Sequence, residues 1–92
     1  MAKYQIYYTK KFIRQAKLCK KRGYDMNLLQ NVISLLSENG CLEAKYNPHK
    51  LSGDKVGYME CHIKADWLLI WKHIDNQLIL TMTATGTHSD LF

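Results

Sequence analysis

Three histidines, His49, His62 and His88, stand in three separate stretches of a 92-residue chain. An imidazole titrates near neutrality, so it can take or give a proton at physiological pH, and a nearby carboxylate orients the ring and biases its charge. Glu60 lies two residues before His62, on the same face of any strand that carries both, and Asp66 follows in the turn beyond. Taken singly, each histidine is an ordinary surface or half-buried polar side chain; taken as a set they are general acid–base equipment. His73, the fourth, is assigned no role. A metal centre is not expected. Cys61 and His62 are adjacent and point to opposite faces of a strand, and Cys19, Cys41 and Cys61 form no CxxC pair. Three scattered cysteines read as reduced thiols, and no cofactor is implied.

These residues need elements to position them. Residues 3–9 alternate at Tyr4, Ile6 and Tyr8 and read as a strand, after which Thr9 can cap a helix over residues 10–22. Phe12, Ile13, Ala16 and Cys19 share one arc of that helix. Gly23 suits its C-terminal stop, Asp25 can cap the next helix over residues 25–39, and Asn39-Gly40 closes the hairpin. Residues 41–55 contain Pro48 and Gly53-Asp54, show neither period, and read as a loop long enough to suggest function. Strands follow over residues 56–63, 67–74 and 77–85, joined by Lys64-Ala65-Asp66 and by Asp75-Asn76. In the first, Met59, Cys61 and Ile63 share one face, and Tyr58, Glu60 and His62 the other. In the last, Leu78, Leu80, Met82 and Ala84 oppose Thr81, Thr83 and Thr85. The expected fold is α+β in the order β-α-α-β-β-β, a helical hairpin on one face of a four-stranded, mainly antiparallel sheet. Trp67 and Trp71 read as core or as part of a hydrophobic patch.

Size and composition bound the rest. One domain over residues 1–92 is expected, since two cores would each be too small. With 47% apolar and 23% charged residues the chain is far from the disordered class. No apolar run reaches the roughly 20 residues that cross a bilayer, and the N-terminus has no signal-peptide core, so a cytoplasmic protein without a membrane partner is expected. The net charge is +5, but residues 1–50 hold ten basic and three acidic side chains. Lys10, Lys11, Arg14, Lys17, Lys20, Lys21 and Arg22 follow one another with no acid between them. Such a face attracts phosphodiesters in a salt-dependent way, or an acidic protein segment. Lys10, Lys11, Arg14 and Lys17, with Lys50 and Lys55 from the loop, are the candidate RNA contacts. Tyr46, Tyr58 and Phe92 could stack on unpaired bases. Leu18 projects among the cations, and Lys17, Leu18 and Lys21 form a candidate surface for a protein partner.

The string from Gly57 to Trp71, the segment from Thr85 to Phe92, the stretch Lys21-Arg22 leading to Asp25-Met26-Asn27, and the His49-x-Leu51-x-Gly53 loop resemble the YafQ-type branch of the RelE/ParE toxin superfamily. The resemblance covers nearly the whole chain. It implies the toxin of a type II toxin–antitoxin system, a metal-independent, ribosome-dependent mRNA endoribonuclease that inhibits translation. It also implies an acidic antitoxin as partner, mRNA and the ribosome as targets, and contact with an operator DNA only through the toxin–antitoxin complex. Carried over by position, the functional residues fall on His49, Glu60, His62, Asp66, His88 and Phe92. The implied reaction is attack of the RNA 2′-hydroxyl on the adjacent phosphate. His88 and His49 would move protons, Asp66 and His62 would assist or position, and Phe92 would stack on a base. Glu60 stands where an aspartate is familiar, Met59 replaces a commonly basic residue, Ala65 a proline and Trp71 a tyrosine. Two other readings stay open: a non-nuclease toxin of the same fold, such as a ParE-like gyrase inhibitor, and a plain nucleic-acid- or protein-binding module.

Overall fold

Local capping sets where the helices begin and end. Thr9 is extended, and its hydroxyl accepts from the Phe12 N–H to start α1 (Lys10–Lys21). Asp25 does the same for α2 (Met26–Asn39), accepting from the Asn27 N–H, and Gly40 ends that helix in the left-handed region at φ 74°. A Cβ on Gly40 would stand 2.5 Å from the Tyr4 ring, so glycine is required there for space as well as for conformation. The structure, a computed structural model, describes residues 3–74 and 77–92. The expected turn at Asp75-Asn76 lies outside the described residues.

The strands are β1 (Gln5–Tyr8), β2 (His49–Lys50), β3 (Tyr58–Lys64), β4 (Trp67–His73) and β5 (Ile79–Gly86), and a last helix, α3 (His88–Leu91), follows directly. They form one five-stranded sheet in the order β1-β5-β4-β3-β2, with β1 parallel to β5 and the other pairs antiparallel. The α+β class and the helical hairpin are as expected; the sheet has five strands rather than four. The extra one, β2, lies in the stretch read as a loop, between two short 3-10 turns at Ala44–Tyr46 and Gly53–Lys55. Two residues are too few to show a period in sequence, and β2 exists because it pairs with β3.

The hairpin packs Phe12, Cys19, Leu29, Val32, Ile33 and Leu36 against Cys61, Trp67, Leu69, Trp71, Leu80 and Met82. Each fully buried aliphatic side chain of this kind contributes about 1.5–3 kcal/mol. Ile13 was expected within that buried arc, but it is 44% exposed because the helix turns its Phe12–Cys19 line, not its Ile13 edge, to the sheet. Tyr46 was expected as a free stacking aromatic, but it packs against the same core.

The opposite sheet face carries a smaller cluster of Leu68, Ile70, Ala84 and Leu91, with Leu51 and Tyr58 against it. Ala84 was expected on the helix side with Leu80 and Met82. A register shift explains its change of face: Ile70 pairs with Ala84 but Trp71 with Met82, so Thr83 is an additional residue and the alternation inverts beyond it. Thr85 therefore faces inward and is buried. Its hydroxyl accepts from the Trp67 indole at 3.0 Å and donates to the Leu68 carbonyl at 2.8 Å.

Candidate active site

The site is built on the sheet face away from the hairpin. Alternation along β3 sends Cys61 to the main core and Tyr58, Glu60 and His62 the other way. Burial first, and then the charge of Glu60, push the Cys61 thiol up to about 12. It stays protonated and serves neither as nucleophile nor as ligand.

Strand pairing places His49 directly opposite Glu60. Asn47 adopts the left-handed conformation, φ 49° and ψ 52°, which asparagine tolerates better than most residues. Its carbonyl accepts from the His49 Nδ1–H at 2.8 Å. With Nδ1 so engaged, Nε2 is the atom that meets Glu60 Oε1, at 3.0 Å. A contact of that length is within hydrogen-bonding distance, so the ring and the carboxyl group are placed to pass a proton between them. The Glu60 side chain is only 8% exposed, against 40% for His49. Glu60 Oε2 is buried and finds no hydrogen-bond partner among the described residues.

The His62 ring lies 6.2 Å from that of His49, held through Nδ1 by the Ala65 carbonyl at 3.3 Å. Asp66, in the same turn, reaches the last element: its Oδ1 accepts from the His88 backbone N–H at 3.0 Å. Asp66 thus meets the start of α3 by the backbone of His88. One turn later, Phe92 lies against the His88 ring with centroids 4.9 Å apart, and Lys55 Nζ stands 5.5 Å from the centre of the Phe92 ring. Phe92 is 53% exposed, open enough to receive a base.

The fold therefore brings His49, Glu60 and His62 together, while Asp66, His88 and Phe92 form a second set, in which Asp66 meets the His88 backbone and Phe92 the His88 ring; the β3–β4 turn connects the two sets along the chain. The cations divide. Lys11 and Lys55 border a cavity of about 240 Å³ floored by Tyr58, Ile70, Ala84 and Leu91, on the site face. Lys50 alternates away from His49 and lines a different cavity, of about 650 Å³, with Met59 and Trp71. Lys10 and Arg14 are exposed on α1, and Lys17 borders a groove of about 440 Å³ between the two helices. Leu18 is 42% exposed, as its place among the cations suggests.

Lys72 belongs to this surface and was missed in sequence. Its ammonium stands 5.4 Å from the centre of the Tyr58 ring. Parity would have found it, because Lys72 lies two residues beyond Ile70 on β4. Among the described residues, no group of three or more His, Cys, Asp or Glu side chains is placed to hold a metal ion, and no helix is long and apolar enough to cross a membrane.

Residues 4–92 match the family model described as the bacterial toxin of type II toxin–antitoxin systems, YafQ. Over 93 aligned residues the chain is 39% identical to the mRNA interferase toxin YafQ of Escherichia coli strain K12, covering all of this chain and 99% of that one. It superposes on the crystal structure of YafQ from E. coli strain BL21(DE3) with a TM-score of 0.89, at 38% identity over 97% of this chain and 98% of the other. The toxin in the crystal structure of the E. coli DinJ–YafQ toxin–antitoxin complex matches with a TM-score of 0.87 and 38% identity, over 98% of both chains.

Proposed function

The chain belongs to the YafQ family of bacterial toxins of type II toxin–antitoxin systems, and on that premise we propose that it is an mRNA interferase whose cutting centre is the His49–Glu60–His62–Asp66–His88–Phe92 set. The observation that carries this reading is the histidine edge itself. His49 meets a buried carboxylate at 3.0 Å, His62 lies beside it, and His88 is seated one turn from an exposed aromatic ring.

In the proposed reaction a base removes the proton of a ribose 2′-hydroxyl, the oxygen attacks the neighbouring phosphorus, and an acid protonates the departing 5′-oxygen. A 2′,3′-cyclic phosphate and a 5′-hydroxyl remain. His88 and His49 serve as the proton-transfer pair. Asp66 seats His88, His62 positions the phosphate, and Phe92 stacks on a base beside the cut. Lys55, with Lys11 and Lys72, supplies positive charge toward the phosphorane oxygens. No metal is required by this scheme. The message is met on the ribosome, where unpaired mRNA is presented.

A cognate antitoxin with an acidic, amphipathic segment would cover Lys17, Leu18 and Lys21 on α1, as apolar and cationic surface suited to one partner. Operator DNA would be reached only through that complex. Leu18→Glu should weaken co-purification with the antitoxin, and normal binding would remove α1 as the contact. For the nuclease, primer extension on a translated message should show new cuts after expression of the wild type and none with His88→Ala. Unchanged cutting by that variant would remove the mechanism.

A further inference from the structure

α3 is a single turn of four residues, far too short to persist by its own hydrogen bonds, yet it carries His88 and leads into Phe92. Leu91 buries against the sheet, and Asp66 receives the His88 N–H. The remaining hold is Asp90. Its Oδ2 accepts from the Thr87 N–H at 2.9 Å, closing a capping box with the Thr87 hydroxyl. The same carboxylate takes both prongs of Arg22, Nη1 to Oδ2 at 2.7 Å and Nη2 to Oδ1 at 3.2 Å, across 68 residues of chain. Arg22 is itself seated at the C-cap of α1, where its N–H donates to the Leu18 carbonyl. Gly86 makes the room: a Cβ there would stand 2.7 Å from Asp90 Oδ2.

We propose that Arg22 and Asp90 are a positioning pair for RNA cleavage, clamping α3 to the end of α1 so that the His88 and Phe92 rings are held in place for the reaction. The proposal rests on the nuclease reading above. Neither residue touches the proposed substrate position; both act through the tail they brace. An exposed ion pair contributes little to global stability. Here the two-pronged geometry ties to α1 a segment that is otherwise held, among the described residues, by the Leu91 side chain, the hydrogen bonds of its own turn, the Asp66 contact and Lys55 against Phe92, so loosening shows in the tail before it shows in the fold.

The test uses the full chain with Arg22→Gln, Asp90→Asn and the double variant; asparagine keeps an acceptor for the Thr87 N–H. Two readouts are taken. Single-turnover and steady-state cleavage of a defined message should show kcat lowered about fivefold in each single variant with KM little changed, and the double variant no worse than either single. In the free protein, NMR should show the His88 and Phe92 ring protons losing their mutual ring-current shifts, and the Phe92 amide exchanging faster, by the same amount in all three. Wild-type kcat in either single variant, or losses that add independently in the double, would overturn the proposal. So would ring shifts that do not move. A wild type that cuts no message defeats the nuclease reading in its own assay, while the ring-shift cycle in the free protein still decides whether the brace exists.

Discussion

Replacing Glu60 with glutamine separates rate from stability, because the two respond to different oxygens of the same side chain. Oε1 lies 3.0 Å from His49 Nε2, and Oε2 is buried without a partner among the described residues. Glutamine preserves the shape, but its neutral amide can satisfy a neutral ring by donating to Nε2 and can neither take up a proton nor pair with a charged ring. A hydrogen bond to a charged group is worth about 1.5–3 kcal/mol. At about 1.36 kcal/mol per decade, losing it at the reacting proton lowers kcat roughly 10- to 150-fold. Stability should move the other way or not at all, since a buried carboxylate oxygen without a partner is a cost that the neutral amide reduces. The assay is cleavage of a defined message by purified wild type and Glu60→Gln, with thermal melting of both. A lowered kcat with an unchanged or raised Tm is expected. Cleavage at the wild-type rate, or a loss of rate that merely tracks a lowered Tm, would refute the assignment of the pair to proton transfer.

Gly40→Ala should destabilise the fold by about 1–3 kcal/mol, read by chemical denaturation, because alanine must adopt φ 74° and its Cβ overlaps the Tyr4 ring; an unchanged midpoint would show that the close approach is unimportant. Thiol titration of the native protein near pH 8 should find one reactive cysteine, the exposed Cys41, and three after denaturation. Burial raises Cys19, and Cys61 is pushed up to about 12, so rapid modification of either in the native state would contradict their packing. Arg22, and then the Thr87 N–H, hold the Asp90 carboxyl well below the usual carboxylate range. A depressed folded-state value means that the unfolded chain binds the proton more readily. The contribution of Asp90 to stability is therefore present above about pH 4 and is lost as the solution is acidified below it. Because the pair is exposed, this loss should show in the tail rather than in global unfolding: between pH 5 and pH 2 the Phe92 ring shifts should move further in the wild type than in Asp90→Asn, and parallel acid profiles would contradict the linkage.

The parts that rest on local chemistry were legible in the sequence. Thr9 and Asp25 cap the helices as their types suggest, and the alternation of Met59, Cys61 and Ile63 against Tyr58, Glu60 and His62 survives intact. Features created by long-range pairing were not. β2 is two residues long and is defined by its partner strand, so nothing in residues 41–55 announces it. The additional residue at Thr83 leaves each neighbour chemically ordinary while it moves Ala84 to the site face and Thr85 into the core. The single turn of α3 fell in a stretch too short for any period, and the Arg22–Asp90 clamp joins residues 68 positions apart. The site itself was half legible. Histidines and carboxylates were visible as types, but the His49–Glu60 contact depends on strand register, and Asp66 meets His88 through its backbone N–H, which no side-chain pattern announces.

The central claim, that a metal-independent histidine centre on this sheet face cuts RNA through its own 2′-hydroxyl, is tested most directly by the chemistry of the ends it leaves. A message cut by the purified toxin in the presence of EDTA, with ribosomes supplied, should carry 2′,3′-cyclic phosphate and 5′-hydroxyl termini, and a matched message with a 2′-deoxy substitution at the cut site should remain whole. Cleavage of the deoxy-substituted message, or 5′-phosphate ends that appear only when divalent metal is restored, would contradict the account.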